Sequence, residues 1–474
     1  MKISKHVPFK ILSLTFVILF VLPTLIQDGM FIDGQQYACV AKNMAEGKGS
    51  FWFPHLSDTW LIAGSTNFME HPPLVYAVQS IFFKCLGNSI YTERFYSLFT
   101  LIIALILIIG IWKIIFPQKS EYRQFWWVAV LFWIWIPLTS WCYQNNMMEN
   151  TMVVFDLLAV LFLLKFLNND RYKLIYFAGG SLSVLAAFLS KGIPGIFPLV
   201  FIPVYGLVFK NRSIKFYFIY SLAFIVLTFI WFFLLFQWTE AHKSLCFYLY
   251  ERVFQRISES ATVDSHFNIL LKLFENLSPL IVIAMIAFLV KKGKQSLVQC
   301  DDCNKYFKLF ILIGFSASLP IMITRVQRGF YLMPSFPFFA VAIACFCLPF
   351  IRYLMLRVST TIRNVSLGIA LMFFAFSVIY TATQIGNVNR DELMLEDVHS
   401  IGNIVPVNTI ISVPDNLYYS NWSMQMYLTR HYNISFIVSE DNTEWYISEN
   451  DNQNDSMILN LISEPYSLYK SPSQ

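Results

Sequence analysis

Polar residues of this 474-residue chain gather in a few short strings whose types and spacing suit acid–base and anion chemistry. Asp33 stands in Phe31-Ile32-Asp33-Gly34-Gln35-Gln36-Tyr37, and Glu70-His71 stand directly before Pro72-Pro73-Leu74. Two consecutive prolines fix backbone direction and remove two amide donors, so Glu70 and His71 are held in place; a histidine there can hydrogen-bond an anionic oxygen or ligate a metal, or be an ordinary surface residue. Glu149 stands at the end of the short segment Cys142 to Asn150. Asp33 can equally be a turn residue or the N-cap of a helix starting at Gln35, and Glu149 an acid that complements a helix dipole. Two carboxylates meeting one membrane interface can bind a metal or share general-base work.

The cations form a second set. Lys191-Gly192-Ile193-Pro194-Gly195 joins two apolar runs by a hairpin too short to be a solvated loop. A lysine at that depth needs a carboxylate, a carbonyl or a phosphate as partner, unless it snorkels to headgroups. Gln237 to His266 carries Glu240, His242, Lys243, Glu251, Arg252, Arg256 and His266, and Arg325 and Arg328 precede Tyr331-Leu332-Met333-Pro334. Guanidinium and ammonium groups suit phosphate; contact with lipid headgroups is the rival reading.

The elements that must position these residues follow from composition. Apolar residues make up 57% of the chain and charged residues 13%, with mean hydropathy +0.56, which excludes a water-soluble globular enzyme. Each span takes about 20 apolar residues, and eleven runs qualify as candidates: 11–27, 95–116, 125–141, 151–167, 174–190, 193–209, 216–236, 268–290, 308–324, 330–350 and 364–383. The first follows Lys2, Lys5 and Lys10 in the manner of a signal peptide, but with no clean cleavage site and many spans beyond, it reads as a first helix. Alternate connections collect Lys113, Lys119 and Arg123; Lys165, Arg171 and Lys173; Lys210, Arg212 and Lys215; Lys291, Lys292, Lys294 and Lys305; and Arg352, Arg357 and Arg363. Positive connections stay in the cytoplasm, so the N-terminus is expected inside and residues 385–474 outside.

The fold expectation is an all-α polytopic membrane protein of about 11 transmembrane helices with a small extracytoplasmic α/β region. Residues 1–384 form the membrane domain, including the external loop 28–94 with interfacial helices, and 385–474 the α/β domain. Thr409 to Val413 and Ile434 to Val438 read as strands beside an amphipathic Trp422 to Tyr432. A net charge of +5, scattered along the chain, gives no nucleic-acid surface. The eight cysteines form no disulfide framework; Cys300 and Cys303 have metal-knuckle or redox spacing, but no second pair or histidine cluster follows to complete a zinc site.

Taken in order over about 11–350, these strings resemble the GT-C integral-membrane glycosyltransferases that use polyprenyl-phosphate sugars, among them the protein O-mannosyltransferases and the bacterial lipid A aminoarabinose transferases. The resemblance rests on Asp33-Gly34-Gln35-Gln36-Tyr37-Ala38, Glu70-His71-Pro72-Pro73-Leu74 with Tyr76, and Tyr91-Thr92-Glu93-Arg94-Phe95-Tyr96-Ser97. It continues through Glu149, Leu189-Ser190-Lys191-Gly192, Gln255-Arg256 and Tyr331-Leu332-Met333-Pro334. It implies that Asp33 takes or orients the acceptor proton, with Glu149 the second acid. It also implies that His71, Lys191, Arg256 and Arg328 meet the donor phosphate while Tyr37, Glu70 and Tyr331 line the cavity. The chain departs from the pattern at Gly34, where many relatives carry a second acid, and at His71, where many carry lysine. Glu70 and His71 are candidate ligands of a divalent metal ion, whose use varies in such a family.

The implied reaction moves a sugar from a polyprenyl-phosphate donor to a lipid, glycan or protein acceptor at the outer face of a bacterial plasma membrane, with membrane lipids as surroundings. No Walker or dinucleotide-type glycine loop is present, and the activated phosphate ester supplies the energy. The rivals are a polytopic lipid or sugar transporter or flippase, which would place charge at mid-bilayer and usually shows repeats, a polysaccharide-assembly enzyme of like architecture, and a scaffold presenting the C-terminal region.

Overall fold

The computed structural model describes residues 4–57, 59, 66–169, 171–255, 261–293, 300–438, 443–449 and 456–471. Its α-helices, numbered in chain order, begin with α1 (Val7–Leu25), α2 (Ile32–Ala45), α3 (Leu74–Leu86), α4 (Thr92–Ile115), α5 (Trp126–Ile134), α6 (Pro137–Gln144), α7 (Met148–Asn168) and α8 (Lys173–Lys191). There follow α9 (Phe201–Phe209), α10 (Ile214–Phe236), α11 (Thr239–Phe247), α12 (Asn268–Gly293), α13 (Asp301–Ser318), α14 (Phe336–Leu356) and α15 (Thr360–Thr383). The tail holds α16 (Glu392–Ile404), α17 (Asp415–Ser420) and α18 (Trp422–Tyr432).

Among the described residues nine helices are long and apolar enough to cross a membrane. Glu121–Ile134 and Pro137–Gln144 form an apolar pair bent by 75°, a tenth span if the two are one crossing; Pro137 opens α6 and cannot donate its amide to the turn before it. The apolar run expected at 193–209 is not one continuous α-helix. There Ile193–Val200, with Pro194 and Pro198, forms a 3₁₀ helix of eight residues, and only Phe201–Phe209 is α-helical. At about 2.0 Å rise per 3₁₀ residue and about 1.5 Å per α residue, the two pieces still reach about 30 Å, the thickness of the hydrocarbon core.

The chain divides into two compact units, one of residues 1–24 and 97–384 and the other of 25–96 and 385–474. The composition break near 385 therefore marks the end of the last span, whereas the unit beyond it also takes in the long first loop. Because those two segments fold together, they share one side of the membrane, and an even number of crossings separates them. Eight of the nine long helices lie between, so the bent pair and Ile193–Phe209 either both cross or both do not.

Within the larger unit, burial sorts the helices by position. About four fifths of the apolar window of α7 is covered, against about a tenth for α10 and α15, so α7 is central and the other two face lipid. Such all-round apolar helices need the bilayer as solvent.

The smaller unit is an α/β fold. Its five strands, β1 (Ile410–Ser412), β2 (Ser435–Ile437), β3 (Trp445–Ser448), β4 (Ser456–Asn460) and β5 (Ser467–Lys470), lie in the order β2-β1-β3-β5-β4. The β1 pairings are parallel and the β3–β5 and β4–β5 pairings antiparallel. Leu395, Val398, Ile411, Leu428, Phe436 and Leu468 fill the core between sheet and helices.

Charged side chains bind the loop to the tail. The Lys42 ammonium donates to the buried carbonyls of Thr429 (2.8 Å) and Arg430 (3.1 Å) in the last turn of α18. Arg430, fully buried, pairs with fully buried Glu93 at 2.5 Å and also donates to Asn88. Arg94 and His399 both meet the Asp28 carboxylate, at 3.5 and 3.2 Å. Glu93 and Arg94, quoted above only for their place in a string, thus join the loop to the tail.

Candidate functional site

In the membrane unit, α7 and α8 form an antiparallel hairpin whose register is read from close contacts: Gly179 lies against Phe162 and Gly180 against Leu163. Carried to the end of both helices, that register sets Glu149, in the first turn of α7, opposite Lys191, in the last turn of α8. Their charged atoms are 3.3 Å apart, the Glu149 side chain fully buried and that of Lys191 6% exposed. The acid faces the positive end of one helix dipole and the ammonium the negative end of the other. The rings of Phe330 and Tyr331 lie 5.8 and 5.9 Å from the Lys191 nitrogen, within cation–π range. Lys191 therefore does not snorkel; it is held in a cage.

The turn after Lys191 depends on glycine. Gly192 has φ +94°, and a Cβ there would lie 1.7 Å from the Tyr248 hydroxyl oxygen, which donates to the Lys191 carbonyl at 3.4 Å. At Gly195 a Cβ would come within 2.5 Å of the Ala187 carbonyl carbon. The Lys-Gly-Ile-Pro-Gly string thus sets the close approach of backbone and tyrosine that holds the cation.

The segment ahead of Phe330 is pinned by Gln327. Its side chain accepts from the Ile269 amide (2.8 Å) and donates to the carbonyls of His266 (2.9 Å) and Thr324 (2.8 Å). Arg325 and Arg328 on that segment are exposed. Arg256 lies outside the described residues. A lateral groove of about 330 Å³ between α12, α13 and α14 is lined wholly by apolar side chains, including Leu277, Ile281, Phe315 and Phe339. It offers hydrocarbon contact and no reacting group.

In the smaller unit the acids and the histidine of the first loop come together around Tyr76. Helix α2 begins at Ile32 with Phe31 as its N-cap, so Asp33 lies inside the first turn and is not the cap. Tyr37 follows one turn later on the same face. Its ring lies 6.1 Å from that of His71 and 6.1 Å from that of Tyr76, and Phe68 closes on Tyr76 at 5.9 Å. Burial, then the negative charges of Glu70 and Asp33, push the Tyr76 phenol well above its ordinary pKa. Tyr76 therefore stays a protonated donor beside two carboxylates, an arrangement suited to accepting a proton at one group and donating from another.

Asp33, Tyr37, Glu70 and His71 are thus assembled in one unit, and Glu149, Lys191 and Tyr331 in the other. Glu70 and His71 are not joined by a third ligand: among the described residues no group of three or more His, Cys, Asp or Glu side chains gathers as a metal site. No metal role is assigned. Sequence reasoning missed Phe330 and Tyr248 as partners of Lys191. It also missed Gln35 and Gln79, two fully buried side chains whose polar atoms have no hydrogen-bond partner. An aromatic in an apolar run carries no signal of facing a cation, and a glutamine on a short helix none of being buried.

Residues 70–236 match the sequence profile of the dolichyl-phosphate-mannose-protein mannosyltransferase family. The structure matches that of ArnT from Cupriavidus metallidurans bound to undecaprenyl phosphate, with a TM-score of 0.62 at 14% identity, over 91% of this chain and 86% of that one. The apo form of the same enzyme gives 0.59 at 14% identity, over 89% and 84%. The fold is of the GT-C type. The apo oligosaccharyltransferase of Archaeoglobus fulgidus also matches, with a TM-score of 0.54 at 11% identity; 92% of this chain covers 65% of that longer one. No curated protein matches in sequence. The resemblance drawn from the strings and the fold agree.

Proposed function

We propose that this protein is a membrane glycosyltransferase that transfers a sugar from a polyprenyl-phosphate donor to a lipid, glycan or protein acceptor, with inversion at the anomeric carbon. The observation that carries the reading is the buried Lys191 ammonium, caged by Phe330 and Tyr331 and ion-paired to Glu149 at the end of an apolar helical hairpin. An ammonium kept at that depth suits an anion that arrives on a lipid.

In the reaction Asp33 takes the proton of the acceptor hydroxyl as its oxygen bonds to the anomeric carbon. The carbon–oxygen bond to phosphate breaks, and the polyprenyl phosphate leaves with the electron pair. Lys191 stabilises the charge that grows on that phosphate, and His71, Arg256 and Arg328 are further donors to it. Glu149 positions Lys191 and offsets its charge between turnovers. Tyr37, Glu70 and Tyr331 contact the substrates, and Tyr76 supplies a protonated hydroxyl beside Asp33. The loop 25–96 and the tail are assigned to the extracytoplasmic side, and the N-terminus to the cytoplasm of a bacterial cell, because the connectors on the other side are basic.

The test is turnover by the purified protein in nanodiscs with a panel of polyprenyl-phosphate sugars, following release of polyprenyl phosphate. Mass spectrometry of glycolipids and glycoproteins from cells with and without the gene identifies sugar and acceptor. Movement of intact donor between leaflets with no transfer to any acceptor would replace this reading with that of a flippase.

A further inference from the structure

Cys300 and Cys303 are bonded to each other, and the six other cysteines are free. The pair occupies the first turn of α13. Cys300 is its N-cap, and the Cys303 amide donates to the Cys300 sulfur at 3.1 Å. The two sulfurs differ in access, Cys300 being half-buried and Cys303 1% exposed. Tyr306, one turn on, packs its ring 5.8 Å from Phe116 and 5.1 Å from Phe209, which anchors the turn without help from the disulfide.

As a structural staple the bond is badly placed. Disulfides stabilise by closing long loops, and this one closes over two residues that the helix already orders. As an exchange centre it is well placed, with one sulfur open to attack and a covered one to leave. A thiolate at Cys300 would face the amide of Cys303 and the positive end of the helix. Lys291 and Lys292 end α12 and Lys294 follows it before α13, which on the proposed orientation puts the pair on the cytoplasmic side. Disulfides in that compartment are mostly transient, catalytic or redox-sensing.

We propose that Cys300 and Cys303 form a reversible dithiol–disulfide centre that exchanges with a small-molecule thiol of the glutathione class. The thiolate of the small molecule attacks the Cys300 sulfur. The Cys300–Cys303 bond breaks, and its electron pair goes to Cys303, which takes up a proton. A second small thiol attacks the mixed disulfide at the small molecule's sulfur and releases Cys300, which is protonated in turn. Two thiols become one disulfide, and the protein gains two electrons and two protons. Asp301 and Asp302 lie between the cysteines; their charges oppose a thiolate and so favour the bonded form.

The test equilibrates full-length protein in nanodiscs with reduced and oxidised glutathione at graded ratios, followed by acid quench, alkylation and peptide mass spectrometry. Cys300 and Cys303 are expected to be reduced together in one two-electron transition within the accessible range. C303S should capture glutathione on Cys300 at least tenfold faster than C300S captures it on Cys303. D301N/D302N should shift the midpoint at least threefold toward easier reduction. A pair that stays bonded at every ratio would be a structural staple. A pair that stays reduced at every ratio, equal capture rates in the two variants, or thiols protected by one bound zinc would each overturn the proposal.

Discussion

Removing the Lys191 ammonium separates a donor-binding role from a structural one, because the two have different energetic signatures. Lys191→Met leaves the Glu149 carboxylate buried without its partner at 3.3 Å, and breaking a buried pair from one side costs about 3–5 kcal/mol. Glu149→Gln in the same chain removes that stranded charge, so K191M/E149Q should return to within about 1 kcal/mol of the wild-type stability. Donor binding should not return with it. An interaction with a charged group contributes about 1.5–3 kcal/mol, and at about 1.4 kcal/mol per factor of ten the loss is about ten- to hundredfold in donor KM. The assay is steady-state transfer in nanodiscs with donor and acceptor varied separately, beside thermal unfolding of each variant. A double variant that recovers both melting temperature and donor KM would refute the reasoning, as would equal rises in donor and acceptor KM.

Further outcomes follow from the geometry. Asp33→Asn should reduce transfer at least a thousandfold, at the strong end of general-base effects of about 10²–10⁴, with expression and insertion unchanged; retained turnover would remove Asp33 from its assigned role. The His431 pKa is held well below its ordinary value by burial and then by Arg430, and Arg94 and His399 add to the effect against the opposing charge of Asp28, with the rings of Tyr427 and Tyr432 packed nearby. A depressed folded-state pKa contributes stability above the unfolded value of 6.5 that is lost as pH falls, by up to about 1.4 kcal/mol per pH unit. The melting temperature of the wild type should therefore fall more steeply from pH 7 to 5 than that of His431→Asn. Gly192→Ala should cost about 1–3 kcal/mol from a backbone conformation essentially confined to glycine, beyond the clash with Tyr248; Tyr248→Ala in that background should restore part of the thermal stability. Asp156, fully buried in α7 with no hydrogen-bond partner for its carboxylate, has no role in the proposed transfer step, so Asp156→Asn should leave kcat/KM within about threefold while a proton-coupled transporter would lose function.

Hydropathy placed nine of the eleven apolar runs on helices long enough to cross and a tenth on the bent pair, because a bilayer-spanning helix is a local property of its own residues. It carried no sign of the helix type at 193–209, where Pro194 and Pro198 set a 3₁₀ turn without changing hydropathy. The strands at Ile410–Ser412 and Ser435–Ile437 and the helix Trp422–Tyr432 were legible from alternation and amphipathic spacing. Lys191 and Glu149 were each legible as polar groups too deep to be solvated, but not as partners.

The amino-acid sequence alone determined which segments enter the bilayer and which residues within or beside them are costly there, since both depend on the transfer energy of each residue and its near neighbours. Tertiary structure decided which costly groups meet. Forty-two positions separate Glu149 from Lys191, and only the register of α7 on α8 sets them face to face. More than three hundred residues separate Glu93 from Arg430, and only the folding of loop and tail into one unit buries their charges together. Such pairings depend on distance in space, which local residue preference does not encode.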